Sequence, residues 1–116
     1  MGLNRLFINT KVFDKHWSEL GLTDSDLIEL QRILTDDPHA GDVIQGTNGI
    51  RKLRFALPHK GKRGSTRVLY VDFAVYERIY LLLIYPKNKV SDISEKEKAG
   101  LTKMVNALRE TLEGKI

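Results

Sequence analysis

Ile50-Arg-Lys-Leu-Arg-Phe-Ala-Leu57 alternates between two kinds of residue, and the two strand-like segments that follow it decide the fold. In residues 50–57 the alternation puts Leu53, Phe55 and Leu57 on one face and Lys52 and Arg54 on the other. Val68 to Phe73 is β-branched and aromatic, as a strand is. Arg78 to Tyr85 is apolar at almost every position, so it reads as a strand buried on both faces. Pro58-His-Lys-Gly-Lys-Arg-Gly-Ser65 joins the first two as a basic hairpin tip, and a second turn falls near Ala74 to Glu77.

Outward from these strands the pattern becomes helical. Ser94-Glu-Lys-Glu97 is a capping box opening a last helix, with Leu101, Met104, Val105, Leu108 and Leu112 on one face and Gly114 past its end. Upstream, residues 39–49 read as a loop with Gly41, Gly46 and Gly49. Before it, Thr23 caps a helix carrying Leu27, Leu30 and Leu34, stopped by Pro38. Thr10 caps a shorter helix with Phe13, Trp17 and Leu20, ended by Gly21, and Arg5 to Asn9 is a short first strand. The expected order is β-α-α-β-β-β-α in one domain spanning 1–116. The class is α+β, with a mostly antiparallel sheet and helices packed against it.

The chain has 116 residues, 41% hydrophobic and 29% charged, which suits a soluble globule that buries its own core. It has no cysteine, which excludes disulfides and thiolate metal sites. The opening residues lack a signal-peptide h-region, and the run Ile79 to Tyr85 is too short to span a bilayer. The expected location is therefore cytoplasmic, away from membranes.

Net charge is +4 and the pI about 9.4. The distribution matters more than the sum. No acid occurs between Asp42 and Asp72, while Arg51, Lys52, Arg54, Lys60, Lys62, Arg63 and Arg67 contribute +7, leaving −3 for the rest. Lys52 and Arg54 share a strand face, and Arg67 begins the next strand of the same hairpin. Such a cluster holds phosphates by charge-assisted hydrogen bonds. A solvated strand face with edge-protecting charge competes with this reading, but such faces normally mix signs. Arg51, Lys60, Lys62, Arg63, Asn88 and Lys89 would add backbone contacts, and Tyr85 could stack on an unpaired base or serve as a core-edge aromatic. His16, His39 and His59 share no metal-ligand spacing, and neither a nucleophile triad nor a P-loop is readable. No metal or cofactor is expected.

Three motifs carry a family resemblance: Gly41-Asp-Val-Ile-Gln-Gly-Thr-Asn-Gly-Ile-Arg-Lys-Leu-Arg54, Lys62-Arg-Gly-Ser-Thr-Arg-Val-Leu-Tyr70 and Leu83-Ile-Tyr-Pro-Lys-Asn-Lys-Val-Ser-Asp92. Together they resemble the HigB branch of RelE-type toxins over about residues 38 to 112. The resemblance implies a toxin of a two-gene toxin–antitoxin system, acting as a metal-independent, ribosome-dependent mRNA endonuclease. It implies a partner antitoxin, of helix-turn-helix (HigA-like) type, besides the ribosome and mRNA. It implies catalytic roles for Lys52, Arg54, Arg67 and Lys87, with Asn88 an alternative to Lys87. Some members carry a tyrosine shortly after the third motif, and Ser91 to Ser94 contains none. Two other functions remain open: a ParE-like inhibitor of DNA gyrase and a non-catalytic nucleic-acid-binding module.

Overall fold

A computed structural model describes residues 4–56, 65–87 and 93–114. The elements are β1 (Leu6–Asn9), α1 (Lys11–Glu19), α2 (Asp24–Asp36), β2 (Asp42–Val43), β3 (Arg51–Phe55), β4 (Thr66–Phe73), β5 (Arg78–Pro86) and α3 (Glu95–Leu112). A single 3-10 turn, Ala74–Tyr76, links β4 to β5 and closes on Glu77 in the left-handed region. The sheet order is β1-β5-β4-β3-β2, antiparallel throughout except for the parallel pair β1–β5. The α+β class and element order agree with the sequence reading, apart from one addition. The expected loop 39–49 contains β2, because Asp42 and Val43 pair with Lys52 and Arg51.

The caps follow from side-chain chemistry. Thr10 Oγ1 accepts the Phe13 N–H, and Thr23 with Asp26 and Ser94 with Glu97 form reciprocal capping boxes. Thr10 does more than cap. Beyond the end of β1, its N–H donates to Leu81 O and its hydroxyl to Leu82 O, while His16 Nδ1 lies 3.2 Å from Ile84 O. In this way α1 occupies the edge of β5 that β1 leaves open.

The sheet has a core on each face. Leu53, Phe55, Val68, Tyr70, Ile79, Leu81 and Ile84 pack with Phe13, Trp17, Leu30 and Leu34 of α1 and α2. On the other face Ile50, Leu69, Val71, Phe73, Tyr80, Leu82 and Tyr85 pack with Val105 of α3, with Leu101, Leu108 and Leu112 at the margin. The Lys52–Arg54 face is therefore only partly outward: Ile50, on that face, is fully buried. Alternation separates two faces but does not say which will receive a helix. Met104, expected inward, is 36% exposed.

The β4–β5 register shifts between Leu69 and Tyr70, whose partners are Leu83 and Leu81, so Leu82 is an extra residue in β5. Strict alternation from Ile79 and Leu81 would send Tyr85 to the α1/α2 face. The bulge turns it to the α3 face, opposite Arg67.

Tyr70 ties the loop after α2 to the sheet. Its hydroxyl donates to Pro38 O at 2.7 Å and accepts the Gly41 N–H at 3.0 Å. Burial pushes the Tyr70 pKa up, above the ordinary phenol value of about 10. The unfolded chain therefore loses this proton first as pH rises. Stability from this group is complete below about pH 10 and falls through the alkaline range. Urea denaturation between pH 9 and pH 11 should show a shallower loss in Tyr70→Phe than in the wild type. The variant should also be about 1–3 kcal/mol less stable at neutral pH, since it strands buried backbone groups.

No helix among the described residues is long and apolar enough to cross a membrane.

Candidate nucleic-acid site

Strand register assembles the site. Arg54 of β3 is directly opposite Arg67 of β4, and Arg67 is directly opposite Tyr85 of β5. Directly paired residues stand roughly 5 Å apart, so the three form one row across the sheet. Lys52 lies one step along the same face of β3, opposite Leu69. Lys87 follows β5, and its N–H reaches Ser65 O at 3.3 Å, which extends the ladder past Arg67. Lys52, Arg54, Arg67 and Lys87 thus gather toward one end of the sheet.

Their exposures differ. Arg54 and Lys87 are exposed, Lys52 is half-buried and Arg67 is only 8% exposed. Arg67 is a buried cation with slender local support: Nη1 lies 3.4 Å from Ser65 Oγ and 3.3 Å from Thr66 O. Both contacts are beyond the usual N–H···O range. Among the described residues, neither Arg54 nor Arg67 has a carboxylate within ion-pair distance. Like charges directly opposite each other destabilise a sheet, and burial of one adds to the cost. An incoming phosphate removes both penalties, and a guanidinium fork matches it with paired hydrogen bonds.

Two residues proposed from sequence stand elsewhere. Arg51 points to the opposite face of β3, where Nη1 donates to Gly41 O at 2.8 Å. It belongs to the structural side of the strand. Tyr85 shares the site's row but is 5% exposed, packed in the α3-side core, so its ring presents no open face to a base. Lys60, Lys62, Arg63, Asn88 and Lys89 lie outside the described residues. Ser65, not singled out from sequence, stands beside Arg67. Its spacing of two from Arg67 on a strand is the signal that would have found it.

The site is a strand face at the sheet's end, a shape suited to a polymer more than to an enclosed small molecule. A groove of about 480 Å³ lies elsewhere, between α3 and the loop at Gly46, lined by Lys98, Thr102 and Asn106. It contains none of the clustered cations, and charge and geometry together favour the strand face. Among the described residues no three His, Asp or Glu side chains converge as metal ligands do.

Comparison with known proteins gives two findings. Residues 4–116 match a family model described as the RelE toxin of the RelE/RelB toxin–antitoxin system. The fold is similar to that of E. coli toxin RelE, solved in the free state as a double arginine-to-alanine mutant, with a TM-score of 0.52 and 11% identity. That match covers 78% of this chain and 90% of the other.

Proposed function

Since the chain belongs to the RelE toxin family, we propose that it is the toxin of a two-gene toxin–antitoxin system and that it cuts mRNA on the ribosome. The observation that carries this reading is the Arg54–Arg67 row with Lys52 beside it, a phosphate-sized cation cluster without a carboxylate partner for either arginine among the described residues. The finer placement, in the HigB branch, rests on the three motifs in residues 41–54, 62–70 and 83–92.

The RNA supplies its own nucleophile, and no covalent enzyme intermediate forms. The 2′-hydroxyl attacks the adjacent phosphorus, forming a 2′-O–P bond as the P–O5′ bond breaks. The products are a 2′,3′-cyclic phosphate and a 5′-hydroxyl. Lys52 accepts the 2′-hydroxyl proton. Arg54 orients the nucleophile. Arg67 stabilises charge on the non-bridging oxygens, and Lys87 delivers a proton to the departing 5′-oxygen. Lysines and arginines make a modest acid/base set. The ribosome supplies the remainder by holding the mRNA in line for attack. A cognate antitoxin of helix-turn-helix, HigA-like type silences the toxin.

End chemistry tests the reading. Cleaved reporter mRNA from a translating extract should carry 5′-hydroxyl ends, ligatable only after phosphorylation, in equal yield whether or not the toxin has been washed with EDTA. Fragments with 5′-phosphates would point to hydrolysis by a different route. Intact mRNA with inhibited DNA supercoiling would instead indicate a gyrase inhibitor.

A further inference from the structure

Behind Lys52, on the opposite face of the sheet, two side chains converge on Gly41. Its N–H donates to Tyr70 Oη at 3.0 Å, its carbonyl accepts Arg51 Nη1 at 2.8 Å, and Tyr70 Oη donates onward to Pro38 O at 2.7 Å. Arg51 and Tyr70 are direct partners across β3 and β4, so both side chains rise from one point of that face. Gly41 itself is pressed against the Lys52 peptide. A Cβ at this position would lie 2.9 Å from the Lys52 carbonyl carbon, 2.9 Å from its oxygen and 2.9 Å from Tyr70 Cε1. There is no room for one without moving β2 away from β3. The next residue, Asp42, is the register partner of Lys52. Both polar groups of the Gly41 backbone are thus held by side chains, and its Cα bears on the peptide that carries Lys52.

We infer that Arg51 and Tyr70 are positioning residues, which clamp Gly41 against the back of the Lys52 peptide and so set the direction in which Lys52 enters the basic row. This inference rests on the reading that Lys52 acts on RNA, and it gives Arg51 a different task from the phosphate contact its charge suggests. Arg51 works through the backbone of its neighbour, from the face that RNA does not touch. A guanidinium is suited to this task because its rigid fork fixes both distance and angle at a carbonyl.

A double-mutant cycle on single-turnover cleavage tests the inference. Arg51→Ala should lower kcat about 10- to 100-fold, the range expected when a reacting group shifts by about 1 Å, with KM little changed. In a Lys52→Ala background the same substitution should cost less than about twofold, because the residue through which it acts is gone. Tyr70→Phe should behave likewise, and Arg51→Lys should recover part of the rate. The salt dependence of binding to a short single-stranded RNA should be the same for Arg51→Ala and wild type. An equal loss in both backgrounds would overturn the inference in favour of a general structural role. A salt slope reduced by about 0.7 would overturn it in favour of a direct phosphate contact. Full activity in Lys52→Ala would overturn it while leaving the nuclease reading in place. Should the wild type cut no RNA, that reading fails, and the clamp is judged by NMR alone. The Lys52 Nζ signal should then move in Arg51→Ala while the Arg54 and Arg67 Nε signals stay in place, and an unmoved Lys52 signal would sink it.

Discussion

Arg67→Ala lowers the rate of mRNA cleavage by about 10²- to 10³-fold, the loss typical of removing one donor aimed at developing oxyanion charge. The effect is large because Arg67 is 8% exposed and stands between Arg54 and Tyr85 in the same row. Its charge acts where water is scarce, so little screening weakens it. Arg67→Lys keeps the charge but loses the planar fork, and an intermediate rate is expected. The variant should fold with at least wild-type stability, since it deletes a buried cation that lacks a carboxylate partner among the described residues. Single-turnover rates with thermal melts of the same samples check both statements. Unchanged cleavage in a folded Arg67→Ala protein would remove Arg67 from the chemistry.

Asp72→Ala destabilises the fold by about 3–5 kcal/mol, the cost of leaving one member of a buried ion pair unmatched. Arg5 Nε donates to Asp72 Oδ1 at 2.7 Å and Nη2 to Oδ2 at 3.2 Å, with the two side chains 8% and 4% exposed. The hydrogen bond to Asp72 raises the Arg5 pKa against the opposing effect of burial. The pair fastens the chain just before β1 to β4, across β5. Urea denaturation reads the loss directly. A double replacement by apolar residues of similar volume should recover much of it, because neither charge is then stranded. A loss below about 1 kcal/mol in Asp72→Ala would mean that water reaches the Arg5 guanidinium.

The fold was legible because its signals are local. Thr10, Thr23 and Ser94 announce helix starts, Gly21 and Pro38 announce ends, and three β-rich segments separate from the helical ones. The candidate site was legible in part. Lys52, Arg54 and Arg67 come together because strand alternation and hairpin pairing suffice to align them. Arg51 was assigned to RNA because charge in a sequence carries no direction; one position along a strand reverses the face. Tyr85 depended on a bulge at Leu82, and within an unbroken apolar run no residue marks where a register slips. The two-residue β2 was hidden because its pairing is set by Gly41 fitting against Lys52, a contact between residues eleven apart. The burial of Ile50 was hidden because it shares a cluster with Val105, in an element at the other end of the chain.

The most direct test is 5′-end mapping of one reporter mRNA, free and on purified translating ribosomes, with the wild type and with Arg67→Ala. Codon-phased cuts are expected with the wild type on ribosomes, with little or no cutting of the free mRNA and loss of the cuts with the variant. Equal cutting of free and ribosome-bound mRNA, or cuts that persist in Arg67→Ala, would contradict this expectation.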